Sequence, residues 1–113
     1  MIETYSFGSM TVMRKKYRND LKIIGNQIIG DWWRREGHAL YAEDIDDILY
    51  SAVEILVVGT GAYGSMRVTE EAVKAIEGRR INLVAVPTKE AVTIFNNLHN
   101  EGKSVAGAFH LTC

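Results

Sequence analysis

The chain has 113 residues, 47% apolar and 24% charged, with a net charge of −1. That describes a single domain over residues 1–113, burying roughly two thirds of the surface of its unfolded chain. The near-neutral balance offers no bulk attraction for nucleic acid or an anionic membrane, and no apolar run is long enough to cross a bilayer.

Met1-Ile2-Glu3-Thr4-Tyr5 lacks the basic and apolar regions of a signal peptide. The lone cysteine, Cys113, excludes an internal disulfide and a cysteine metal cluster, so the expected location is cytoplasmic. Tyr5-Ser6-Phe7 leads through Gly8 into Met10-Thr11-Val12-Met13, a β-prone segment ending in Arg14-Lys15-Lys16-Tyr17-Arg18. With one aromatic and no wider basic face, that charged stretch reads as a solvated turn rather than a phosphate contact. Leu21–Ile24 and Gln27–Ile29 flank Gly25-Asn26, a two-residue hairpin signal because both residues tolerate positive φ.

Trp32-Trp33-Arg34-Arg35 follows, and it carries two readings. As a strand, its adjacent tryptophans point to opposite faces, so one (Trp33 as the expectation) covers the sheet while the arginines stay solvated. The other ring is then exposed beside two cations, a combination over-represented in protein recognition surfaces.

Ile45, Ile48, Leu49 and Ala52 fall on one face of a helix, with Glu43, Asp44, Asp46 and Asp47 at its dipole-positive start. Val53–Val58 is apolar enough for a strand buried on both faces. Thr69 caps a helix that starts Glu70-Glu71, buries Val73 and Ile76, and ends at Gly78. Ile81–Val86 is a second buried strand stopped by Pro87, and Thr88 caps a helix with Val92, Phe95, Leu98 and Gly102 on one side. Val105–Leu111 is a last strand whose direction the sequence leaves open. The alternation predicts an α/β fold: one compact three-layer domain with a mixed central sheet and an N-terminal β-rich part.

Gly59-Thr60-Gly61-Ala62-Tyr63-Gly64 has the glycine spacing of a dinucleotide loop. Its context does not match. No helix begins before Thr69 to receive the third glycine, and Val86-Pro87-Thr88 carries no acid for a ribose. No lysine followed by serine or threonine makes it a P-loop, and no cofactor is expected. Two readings remain: a sharp turn off a buried strand, or an anion crevice formed by Gly59, Thr60, Gly61, Ser65, Arg67 and Thr88 at strand ends.

His38 with the acidic run suggests a metal site, but carboxylates favoured by the helix dipole explain the run more simply. His99 and His110 are isolated, and Ser65 lacks the flanking glycines of a nucleophile elbow.

Phe7-Gly8-Ser9-Met10, Trp33-Arg34-Arg35-Glu36-Gly37-His38, Gly59-Thr60-Gly61, Pro87-Thr88 with Glu90-Ala91, Phe95-Asn96-Asn97-Leu98 and Glu101-Gly102-Lys103 form an ordered set. Together they resemble the small Mth-type domain family of uncharacterised function. That family includes the adipogenesis-associated Mth domain-containing protein and, distantly, complex I assembly factor three. The resemblance implies a compact three-layer α/β fold and supplies no catalytic residues. The expected function is a non-catalytic interaction or assembly module, binding a protein partner or its own copy through Trp32, Trp33, Arg34 and Arg35. The alternative is a small-molecule or anion-binding protein, or an enzyme, using the crevice at the glycine loop. No metal, nucleic acid or membrane partner is expected.

Overall fold

The computed structural model describes residues 1–113. Strands β1 (Ile2–Ser6), β2 (Ser9–Val12) and β3 (Lys15–Tyr17) form an antiparallel meander. Met13 and Arg14 both take positive φ in the second turn, the twist that suits a two-residue hairpin. The basic stretch is therefore not a solvated turn throughout, since Lys15–Tyr17 pair with Met10–Val12.

The central sheet has the order β5 (Gln27–Ile29), β4 (Leu21–Ile24), β10 (Val105–His110), β7 (Ile55–Thr60) and β9 (Asn82–Val86). It is mixed: β10 runs antiparallel to β4 and parallel to β7, which is parallel to β9. With a strand on each side, β10 has all six residues buried. Its Ala106, Gly107 and Ala108 leave room on both faces. A Cβ on Gly107 would meet the Phe109 ring and come within 3.2 Å of Phe95.

Alternation along β7 and β10 divides the core. Leu56, Val58, Ala106 and Ala108 face Trp32, Leu40, Met66 and α2 (Glu70–Gly78). Val57, Val105 and Phe109 face α3 (Thr88–Asn100) and the N-terminal meander, with Phe95 edge-on to Phe109 at 5.7 Å. The result is three layers. A parallel pair, β6 (Ala39–Leu40) and β8 (Arg67–Val68), closes the first side.

The middle helix is a 3-10 turn (Ala42–Ile45) and one turn of α1 (Asp46–Leu49), stopping before Ala52. Strand β7 begins at Ile55, leaving Val53 outside it. Strand β9 begins at Asn82 and is half exposed, because it is the edge strand with only β7 beside it. Thr69 does cap α2, its Oγ1 accepting from the Ala72 amide at 3.2 Å, but the buried residues are Ala72 and Ile76, with Val73 half-buried. Thr88 is the first residue of α3 rather than its cap. No helix is long and apolar enough to cross a membrane.

Candidate functional site

The chain passes from β7 through α2 to β9 on one side, then through α3 to β10 on the other. Because α2 and α3 pack on opposite faces, the chain leaves the adjacent parallel strands β7 and β9 in opposite directions, and their carboxyl ends mark a topological switch point, where α/β sheets tend to open a crevice. Thr60, at that end of β7, is paired on its other side with His110 of β10.

The glycine loop fills part of that point with the chain itself. Ala62 N–H donates to Thr112 O at 2.7 Å, and the Tyr63 and Ser65 amides donate to Cys113 O at 3.2 and 3.0 Å. The Gly64 amide donates to Gly61 O and the Met66 amide to Thr60 O. Gly61 N–H donates to Thr88 Oγ1 at 2.8 Å, and that hydroxyl donates to His110 O at 2.6 Å. Every amide from Gly61 to Met66 thus has a partner inside the protein.

Gly61 takes φ +109, and a Cβ there would collide with the Cys113 carbonyl and stand 2.8 Å from the His110 ring. At Gly59 a Cβ would lie 2.9 Å from Thr88 Oγ1. Gly59, Gly61 and the fully buried Thr88 therefore converge, and their job is to lock β7, α3 and the end of β10 together. Thr60 is half-buried, while Ser65 and Arg67 are exposed, the latter's amide held by His38 O.

The open space lies on the other side of His110. Arg18, Asp20, Trp33, Arg34, His38 and His110 line a cleft of about 450 Å³. A hollow of about 510 Å³ at the opposite end of the sheet, beside Gly25, Ser51, His99 and Val105, gathers no comparable cluster of charged groups.

Antiparallel register creates the cluster. Phe109 opposite Leu21 sets Asp20, just before β4, beside His110. Asp20 Oδ1 accepts from the Leu111 amide at 2.7 Å, and Oδ2 lies 2.7 Å from His110 Nδ1 and 2.8 Å from Arg34 Nη1. Arg34 Nη2 is 3.2 Å from the same Nδ1 but 2.8 Å from Gly37 O. A hydrogen on Nδ1 cannot serve both neighbours, and the shorter contact to a carboxylate makes Nδ1 the donor to Asp20.

Burial would push the Asp20 carboxyl up, but the His110 hydrogen bond, the Leu111 amide and Arg34 together hold it below the usual carboxylate range. The neighbouring Tyr5 phenol, which donates to Leu111 O at 3.0 Å, is pushed up by burial and by the Asp20 charge.

Three buried side-chain nitrogens have no directed hydrogen-bond partner: Arg34 Nε, Arg34 Nη1 and His110 Nε2. Nη1 is close to Asp20 but off the line of its N–H bonds, so that pairing is a charge contact more than a hydrogen bond. The His38 ring stands edge-on to His110, centroids 5.7 Å apart.

The tryptophan pair behaves differently from its strand reading. Residues 31–35 form no strand, and Asp31 takes positive φ. Trp32 is the buried ring (5% exposed), with Nε1 donating to Asp44 O at 3.0 Å, and Trp33 is 76% exposed. Arg34 is not solvated. Its side chain is 4% exposed and its guanidinium lies over the Trp32 ring at 4.7 Å. Only Arg35 is exposed, stacked on Tyr41 and paired with Glu43 at 2.9 Å.

The acidic run is likewise distributed: Asp44 accepts from the Tyr41 and Arg35 amides, and Asp47 pairs with Lys22 at 2.8 Å. No three His, Cys, Asp or Glu side chains converge as metal ligands.

Phe7 and Tyr63 are also exposed, with ring centroids 6.2 Å apart. Both flank the final residues, since Gly8 N–H donates to Leu111 O and Tyr63 N–H to Cys113 O. Trp33 reaches the same segment across the cleft, which Leu111 and Thr112 also line. Sequence reasoning missed Asp20, His38 and His110 as a group. The available signal was a polar His110 ending an otherwise apolar strand.

Among known proteins, the family model described as "Protein of unknown function (DUF498/DUF598)" matches residues 2–110. A conserved hypothetical protein from Pyrococcus horikoshii OT3 is 27% identical, with a TM-score of 0.84 over 100% of this chain and 99% of that one. A protein of Bartonella henselae described as an outer membrane protein is 26% identical, with a TM-score of 0.84 over 99% of this chain and 94% of that one. A Mth938-like domain of Bordetella pertussis is 17% identical, with a TM-score of 0.78 over 98% of this chain and 85% of that one, a likeness of fold. With its family match running almost end to end and its fold shared with these structures, the chain belongs to the DUF498/DUF598 family and has the Mth938-like fold.

Proposed function

We propose that this domain is a non-catalytic interaction module that docks a protein surface through the aromatic end of its central sheet. The observation that carries the reading is Trp33, 76% exposed directly after a Trp32 that is 5% exposed. The backbone that buries one ring holds the next in water. Tryptophan is the residue most enriched among the anchors of protein interfaces. Phe7 and Tyr63 extend the apolar surface around residues 111–113. Two residues on from Trp33, Arg35 forms an exposed ion pair with Glu43. The alternative, a ligand held by the amides of the glycine loop, has less support because those amides are engaged within the chain.

The test is sedimentation of the isolated domain over a wide concentration range, together with affinity capture of co-purifying protein. Trp33→Ala should weaken whichever association is found by at least about 30-fold, the effect of losing an interface anchor worth roughly 2 kcal/mol. A monomer at every concentration, with no partner retained, would refute the proposal.

A further inference from the structure

We infer that the cleft formed by Arg34, His38 and His110 is a binding site for a small oxyanion, such as inorganic phosphate or the carboxylate of a small metabolite. Three independent features support this. First, the cleft of about 450 Å³ lies beside the carboxyl end of β10, and no residue of the glycine loop lines it. Second, its charged lining is unbalanced: Arg18 and Arg34 against Asp20 alone, with the His38 and His110 imidazoles beside them. Asp20 is engaged within the chain, Oδ1 by the Leu111 amide and Oδ2 by His110 and by Arg34, which it neutralises, so Arg18 is the cation of the lining that no carboxylate there offsets.

Third, the three buried side-chain nitrogens without a directed partner all belong to this cluster. Two are guanidinium N–H donors, and His110 Nε2 donates whenever the ring carries both hydrogens. Buried donors are normally satisfied, and several orphans in one place mark a polar partner from outside the chain. An oxyanion matches them: it accepts several hydrogen bonds at once and takes charge-assisted bonds from a guanidinium. His38, an exposed residue, lines the same cleft with its ring edge-on to His110.

Trp33 lines the cleft as well as the docking face, but the anion would be held by Arg34, His38 and His110 rather than by the Phe7, Trp33 and Tyr63 rings. The experiment is a titration with sodium phosphate, and separately with sodium acetate, at constant ionic strength set with chloride. The readout is the ring carbon–proton resonances of the three histidines. A site predicts saturable shifts of His38 and His110 with at least one of the anions, and none at His99, which lies on α3 away from the cleft. His38→Ala, at an exposed position, should weaken the binding at least tenfold while leaving the folded spectrum intact. Arg34→Gln should abolish it.

Shifts that stay linear with concentration, that appear equally at His99, or that survive His38→Ala undiminished would overturn the inference. So would the absence of shifts with both anions. Because Trp33→Ala is not used, failure here leaves the docking proposal standing, and failure of docking leaves this one standing.

Discussion

Replacing Asp20 with alanine tests the physical account of the site most directly. The carboxylate neutralises a guanidinium whose side chain is 4% exposed, accepts from His110 Nδ1 at 2.7 Å and satisfies the Leu111 amide at 2.7 Å. Alanine leaves a buried cation and two buried donors without partners. Breaking a buried pair by removing one member costs about 3–5 kcal/mol. Since Asp20 itself keeps some contact with solvent, the lower half of that range is expected. For a domain of this size that lowers the melting temperature by roughly 10–20 °C.

Urea unfolding monitored by tryptophan fluorescence measures the loss, and repeating it across acidic pH tests its origin. The folded carboxyl is held below its ordinary value. Its stabilisation is therefore complete above the unfolded carboxylate value of about 3.9 and is lost as pH falls through the lower folded value. The difference between parent and Asp20→Asn should be constant above pH ~5 and shrink steadily below pH ~4. A cost under about 1 kcal/mol for Asp20→Ala would show that the cluster is not a buried ion network. Acid curves for parent and Asp20→Asn that stay parallel would show the same.

Other outcomes follow from the same geometry. Thr88→Val leaves the Gly61 amide and the His110 carbonyl unpaired, so it should cost about 2–4 kcal/mol in urea unfolding, whereas Thr88→Ser should keep most of that stability. Gly61→Ala combines a strained φ of +109 with a collision against Cys113. It should destabilise by roughly 2–4 kcal/mol and speed hydrogen exchange of the Ala62, Tyr63 and Ser65 amides that hold the final residues. Trp32→Ala should cost about 3–5 kcal/mol by thermal melting, while the exposed Trp33→Ala should change stability by less than about 0.5 kcal/mol. Equal effects at the two positions would contradict the assignment of buried and exposed rings.

The difference between the tryptophans shows where local reasoning reaches its limit. Alternation on a strand correctly requires one ring in and one ring out, but it assigns them only if the segment is a strand. Asp31 at positive φ turns the chain before Trp32, so the side-chain phase is set by that turn and by Asp44 O, which receives the Trp32 indole N–H. Arg34 shows the same limit for charge. An arginine beside another arginine reads as solvated because its charge partner is 14 residues earlier, at Asp20.

The sequence by itself determined the elements that rest on short-range chemistry. These include the Gly25-Asn26 hairpin, the Thr69 cap, the apolar runs that become β7 and β10, and the failure of the Gly59–Gly64 spacing to meet a helix. Periodicity, turn residues and caps act within a few positions, so they survive without knowledge of the fold. Tertiary structure alone decided that β10 lies between an antiparallel and a parallel neighbour, and that the glycine loop closes on Thr112 and Cys113. It also decided that Asp20, Arg34, His38 and His110 share one cleft. The physical reason is register: the pairing of Phe109 with Leu21 fixes which distant residues meet, and no pattern local to Asp20 or His110 encodes that pairing.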